Sequence, residues 1–211
     1  MTTPSEKLRD RWLEALLPEV EAYGWTMGAA ERVAEEVGLS EGERALVAPN
    51  GISDLIDHFF DRAADLMLEH LATEDLGKLR THERVAFGLK TWLEVLEPNK
   101  EAVRRAAGRG LVPWGAGAAV KRVWSVADAI WAAAGDTATD YNRQTKRALL
   151  SAVIPSVVLH WLDAETPESV DRHIARRLKQ AMALGQTGSR VIGPFLDPAE
   201  GLRRGRSSRK P

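Results

Sequence analysis

Apolar residues recur at helical spacing along almost the whole chain, and alternating runs rich in Val, Ile, Thr and Tyr are absent, so the pattern predicts an all-α fold of about nine helices. Thr3-Pro4 reads as an N-cap followed by Pro at the first helical position, opening a helix in which Leu8, Trp12, Leu16 and Val20 share a face before Gly24 ends it. Thr26 caps a second helix that ends at Gly38, and Ser40 to Glu43 has capping-box spacing for a short third helix to Val47. Pro49-Asn50-Gly51 then breaks the chain. A fourth helix runs from Ile52 to about Asp75 on Leu55, Phe59, Ala63, Leu66 and Leu71, and a fifth carries Val85, Leu89, Trp92 and Leu96 before Pro98 closes it. A weaker sixth lies around Ala102 to Ala107, a long seventh runs from Pro113 to Ala134, and an eighth follows the loop Gly135 to Asp140 and ends near Asp163. Thr166-Pro167-Glu168 caps a last helix that is expected to stop near Gly185, leaving residues 190–211 as a basic, flexible tail.

Composition narrows the function classes. With 44% hydrophobic residues, 28% charged residues and a net charge of -1, the chain is that of one globular domain, and no overall field draws it to nucleic acid. The absence of cysteine excludes disulfides, thiolate nucleophiles and Cys-containing zinc sites. Met1 to Arg11 lacks the features of a signal or transit peptide, and no apolar run is long enough to span a bilayer. The expected location is cytoplasmic, with any membrane contact peripheral, on the inner face.

The inventory of reactive groups yields no catalytic residue, no metal site and no cofactor. Residues three before His58, His70, His82, His160 and His173 are Leu55, Met67, Leu79, Val157 and Val170, so the Glu-x-x-His pairs of di-iron bundles are missing. His82-Glu83 lacks the second histidine of a zincin, because Ala86 stands there. Gly115-Ala116-Gly117 follows Pro113-Trp114 rather than a strand and reads as a close approach of helices. Asp54, Asp57 and Asp61 share one side of the fourth helix and read as a solvated acidic face.

Two stretches carry a family resemblance. Ala15 to Thr26, continuing through Ala30 to Ser40, resembles the N-terminal three-helix unit of TetR-type proteins. Trp131-Ala132-Ala133-Ala134-Gly135-Asp136, Thr139-Asp140-Tyr141-Asn142 and Thr145-x-Arg147-Ala148-Leu149 are together similar to the signature of the ninth Coq polypeptide family of ubiquinone (coenzyme Q) biosynthesis. The resemblance implies a single TetR-like helical domain over residues 1–189. In it a degenerate helix-turn-helix unit (1–50) has lost DNA binding, and a larger helical region (51–189) holds a lipid. It further implies a non-enzymatic accessory protein that presents an isoprenoid quinone intermediate or a phospholipid to a demethoxyubiquinone-type hydroxylase, and a homodimer as in most TetR-like proteins. By position Arg147 matches a residue contacting a lipid head group, and Asp140 and Asn142, with Arg143 beside them, fall in the patch used for the hydroxylase. Mitochondrial members carry Trp-Tyr where this chain has Arg143-Gln144, and their longer C-terminal amphipathic helix is largely absent.

Residue chemistry adds a candidate cavity. Val120, Trp124, Ala127, Trp131 and Ala134 line one stripe of the seventh helix, and Arg147, Leu150, Ile154, Val157 or Val158, and Trp161 line one of the eighth. A cation at the end of an apolar track suits an amphiphile with an anionic head, and Pro155 should kink its helix and hold neighbours apart. On pattern alone these residues read as plain core with Arg147 snorkelling; the family resemblance turns the reading to a cavity. The competing function is a TetR-type regulator with a hydrophobic effector. Against it, the second and third helices set Glu31, Glu35, Glu36, Glu41 and Glu43 against only Arg32 and Arg44, a face that DNA would repel. Basic residues from Arg190 onward are expected to favour anionic membranes.

Overall fold

The computed structural model describes residues 3–110, 113–137 and 141–196, and among them the regular structure is helical throughout. In chain order the helices are α1 (Pro4–Tyr23), α2 (Met27–Glu36), α3 (Glu41–Val47), α4 (Ile52–Ala72), α5 (Thr81–Leu96), α6 (Lys100–Gly110), α7 (Pro113–Ala133), α8 (Tyr141–Asp163) and α9 (Pro167–Leu196).

Capping chemistry sets the first three. Thr3 and Glu6 form a reciprocal capping box on α1, Ser40 and Glu43 form another on α3, and the Thr26 hydroxyl accepts from the Ala29 amide at the start of α2. Gly51, at φ +63°, turns the chain into α4; a Cβ there would lie 2.8 Å from Met27 Sδ, so both the backbone angle and the space call for glycine. Gly88 has a different purpose. It lets α5 approach α7 so closely that an added Cβ would be 3.3 Å from Ile130 Cγ2.

One continuous cluster of buried residues runs from Trp12 to Leu178, through α1, α2, α4 to α9 and the end of α3. Two indoles tie the N-terminal unit in place: Trp12 Nε1 donates to the Ala30 carbonyl at 2.8 Å, joining α1 to α2, and Trp25 Nε1 donates to the Ala102 carbonyl at 2.9 Å, joining the α1–α2 corner to α6. Trp25 also packs on Phe59, and Phe59 on Phe60, so an aromatic chain continues into α4. In the other half α4 packs against α5 and α7, and α8 lies between α7 and α9.

Pro98 closes α5 as expected, with Glu97–Asn99 forming a 3-10 turn that passes directly into α6; a proline in the first turn loses no helical hydrogen bond. One expectation needs correction. The last helix does not stop near Gly185 but continues to Leu196, so residues 190–196 are helical rather than the start of a flexible tail. Gly185 and Gly188 lower helix propensity without forbidding helical angles. Residues 197–211 lie outside the described ones.

Trp25 is the side chain on which the join between the two halves rests. Trp25→Ala is expected to cost about 3–5 kcal/mol in urea unfolding through the cavity it leaves, whereas Trp124→Ala, at a surface position, should stay within about 1 kcal/mol.

Candidate functional site

An apolar groove of about 240 Å³ opens between α6, α7 and α8. Its floor is Phe60 from α4, Trp92 from α5, Val103 and Ala106 from α6, Val126 from α7 and Ile154 from α8; Ala107, Ala119, Pro155 and Leu159 stand at its rim. The space exists because α6 and α7 present alanines where larger side chains would close the gap. Arg122 lines it too, hydrogen-bonded through Nε to the Asp57 carboxylate of α4, so its charge is compensated at the wall. Trp92 Nε1 is buried and has no hydrogen-bond partner among the described residues. Pro155 also leaves the Ser151 carbonyl without its helical donor, although α8 runs unbroken from Tyr141 to Asp163.

The predicted lipid-contacting residues are not brought together on this groove; of them Ile154 lines it, as does Val158, the alternative to Val157. The α7 stripe is split: Val120 is 68% exposed and Trp124 37% exposed, while Ala127 and Ala134 are core. Trp131 is half-buried, donates Nε1 to the Lys146 carbonyl at 3.1 Å and carries the Lys146 ammonium over its ring. Leu150 and Val157 are core, and Trp161 lines a different, larger cavity of about 470 Å³ that Lys90, Glu94, Glu97, Lys100, Glu165 and Asp171 also line, where its Nε1 donates to Glu97 and Lys100 lies over its ring. The groove residues on α7, Ala119, Val123 and Val126, lie at i, i+4 and i+7, a spacing present in the sequence but overshadowed by the tryptophan stripe beside it.

Arg147 is neither a snorkelling surface cation nor a free partner for an anionic head. It is 3% exposed, with Nε on Asp128 and Nη1 2.9 Å from Asp136, whose own side chain is 4% exposed. Arg143 reaches Asp128 at 3.2 Å and Lys146 reaches Asp136 at 2.7 Å, closing a five-residue clasp across the α7–α8 hairpin. Burial works against the Arg147 charge, but hydrogen bonds to Asp128 and Asp136 more than restore it and leave its pKa raised. The hydrogen bond from Arg147 holds Asp128 below the usual carboxylate range; burial opposes this, and Arg143 adds to it. Of the predicted partner patch, Asn142 is exposed, Arg143 is engaged in the clasp, and Asp140 lies outside the described residues.

The acidic side of α4 is not uniformly solvated. Asp54 accepts from the Asn50 amide, Asp57 pairs with Arg122, and Asp61 is pushed up first by burial and then by Asp57 and Asp65. Among the described residues no group of three or more His, Asp or Glu side chains is placed to hold a metal ion.

Against known proteins, residues 116–185 match the COQ9 family model. The chain is 31% identical to the human ubiquinone biosynthesis protein COQ9, mitochondrial, over 88% of its own length and 61% of the relative's, so it spans less than two thirds of that protein. It is 26% identical to the Drosophila melanogaster protein of the same name, over 89% of this chain and 59% of that one. The fold is similar to a TetR transcriptional regulator of Nitrosomonas europaea, with a TM-score of 0.64 at 20% identity, covering 82% of this chain and 97% of the regulator. The architecture is therefore TetR-like and all-α.

The clasp generates two expectations. Asp136→Asn leaves Arg147 buried with half its compensation and should cost about 3–5 kcal/mol in urea unfolding. A carboxyl depressed in the folded state contributes stability that is fully present above its unfolded pKa and is lost as the pH falls through the lowered folded value. Stability should accordingly decline on acidification below the ordinary aspartate range, and Asp128→Asn should remove part of that decline in urea midpoints measured across an acid series.

Proposed function

We propose that the chain, whose residues 116–185 match the COQ9 family model, is a non-catalytic lipid-binding accessory protein of ubiquinone biosynthesis. In this reading it holds an isoprenoid quinone intermediate or a phospholipid by its apolar chain in the groove between α6, α7 and α8, and presents it to a partner hydroxylase. The observation that carries the reading is the groove itself, apolar on its floor and open at its mouth. At about 240 Å³ it is smaller than the roughly 300–1,000 Å³ that encloses a whole small ligand, so it suits a stretch of chain whose remainder lies outside. The hydroxylase would meet the exposed end of the α7–α8 hairpin around Asn142 and Arg143. The protein would work as a homodimer, peripheral to the cytoplasmic face of an anionic membrane. Among the described residues no helix is long and apolar enough to cross one.

The regulator reading draws on the fold alone, and the charges of the N-terminal unit oppose it. Arg32 is paired with Glu19 and Arg44 lies 3.7 Å from Glu35, so the two cations of α2 and α3 face carboxylates of their own unit. Phosphate neutralisation, which supplies much of DNA affinity, needs cations that are free to give it. No retardation of duplex DNA from its own upstream region is expected in gel-shift titration at physiological salt; sequence-specific retardation would return the regulator reading.

Lipid occupancy is tested by extraction and native mass spectrometry of the purified protein, with two substitutions compared. Ala119→Trp, at the groove rim, should remove bound lipid and keep the thermal midpoint within a few degrees. Ala127→Trp, at a fully buried position away from the groove, should instead overpack the core and cost about 1–3 kcal/mol or more. A wild type free of lipid, or an Ala119→Trp variant that retains it, would overturn the groove reading.

A further inference from the structure

Resting on the groove reading, we propose that α8 and α9 form a phosphate-binding head site beside the groove mouth, built by Arg176, Arg177, Ser156, Ser169, His160 and His173. The ligand it fits is a phosphate-bearing amphiphile, its chain in the groove and its head on this cluster. Arg147, matched to the head-group contact by family resemblance, is withdrawn from that task by Asp128 and Asp136.

The cluster is rich in donors and short of acceptors. Arg177 Nε donates to Ser156 Oγ at 2.7 Å, and Arg176 Nη2 lies 2.9 Å from His173 Nδ1. Arginine has no acceptor, so that nitrogen of His173 accepts, and the neutral ring then carries its proton on Nε2 and donates it to Ser156 Oγ, 3.1 Å away. Ser156 Oγ thus receives two donors, and its own proton is left for an incoming acceptor. His160 bonds to Ser169 Oγ at 3.0 Å and stacks on His173 with centroids 4.2 Å apart. Burial, then His160, Arg176 and Arg177, hold His173 below the usual imidazole range.

The positive charge is uncompensated. Among the described residues neither Arg176 nor Arg177 has a carboxylate within 4.0 Å, the limit for an ion pair. From Arg172 to Arg190 the sequence has Arg172, Arg176, Arg177, Lys179 and Arg190 and no carboxylate, and α8 has none before Asp163. Of roughly five N–H donors on each guanidinium, the contacts here use two of Arg177 and one of Arg176. Guanidinium forks of this kind match phosphate oxygens.

Position links the cluster to the groove. Ser156 and His160 each follow a groove-rim residue, Pro155 and Leu159, by one place on α8, and so lie about 100° further round the helix, towards α9. Leu159 is 59% exposed, lines the groove and immediately precedes His160 of the cluster.

The test compares a lysophosphatidylglycerol, a monoacylglycerol with the same acyl chain, and inorganic phosphate, each titrated into the full chain by calorimetry. The wild type should bind the lysophospholipid about tenfold more tightly than the monoacylglycerol, and either more tightly than phosphate alone. The double substitution Arg176→Gln/Arg177→Gln should abolish the preference and leave monoacylglycerol affinity and the thermal midpoint unchanged; Ser156→Ala should reduce it in part, and Arg177→Lys should keep part of it. A preference that survives the double substitution overturns the head site while the groove reading stands. Phosphate alone binding as tightly as the lysophospholipid also overturns it, marking a free-phosphate site unconnected with the groove. A wild type that takes up neither lipid overturns the groove reading, and this proposal with it.

Discussion

The α7–α8 hairpin depends on a buried guanidinium. Arg147 is held between Asp128 of α7 and Asp136 of the connecting loop, and Lys146 and Arg143 satisfy the same two carboxylates from the α8 side. Removing charge from water is costly, so a network of this kind adds little net stability; its effect is to favour the register of α8 on α7 in which all five groups are paired. That register brings Ile154 and Val126 to the same groove and Pro155 and Leu159 to its rim. The motif that carries the family resemblance thus has a mechanical reading in the structure: its Asp136 and Arg147, with Lys146 between Thr145 and Arg147, fix a hairpin whose other end forms a wall.

The groove and the proposed head site divide one helix between them. Along α8, Pro155 and Leu159 turn to the apolar side, while Ser156 and His160 turn to α9 and its arginines. An amphiphile needs both surfaces within a molecule's length, and one helix rotation supplies them. The two surfaces also differ in what stabilises them. Apolar lining gains from burying a chain at about 25 cal/mol per Å², whatever the head carries, whereas the cationic cluster discriminates by charge and weakens with salt.

The fold was legible because its signals are local. Capping residues Thr3, Thr26 and Ser40 and the breaks at Gly24, Gly51 and Gly135 act within a turn of where they stand, and helix starts follow from them. The end of α9 was misread because glycine lowers propensity without dictating a stop. The site was less legible because it is made by side chains that meet across helices. Pattern placed Arg147 at the end of an apolar track but could not show that Asp128, nineteen residues earlier, would neutralise it. It placed Trp124 on a face with Ala127, yet one lies at the surface and the other in the core, since a helix that changes neighbours along its length has no single inward face. The wall residues Val103 and Ala106 were passed over because small apolar side chains on a helix look alike whether they fill space or leave it.

Pro98 gives the chain a corner with no slack. From Thr81 to Gly110 every residue belongs to a helix or to the 3-10 turn Glu97–Asn99, so the angular phase of α5 passes directly to α6. One inserted residue would rotate everything after it by about 100°, carrying Val103 and Ala106 off the groove and the Ala102 carbonyl away from Trp25. Length change is therefore poorly tolerated at a turn that itself lines neither proposed binding surface. In comparing chains of this kind, the count of residues between Trp92 and Ala102 carries structural information beyond their identity.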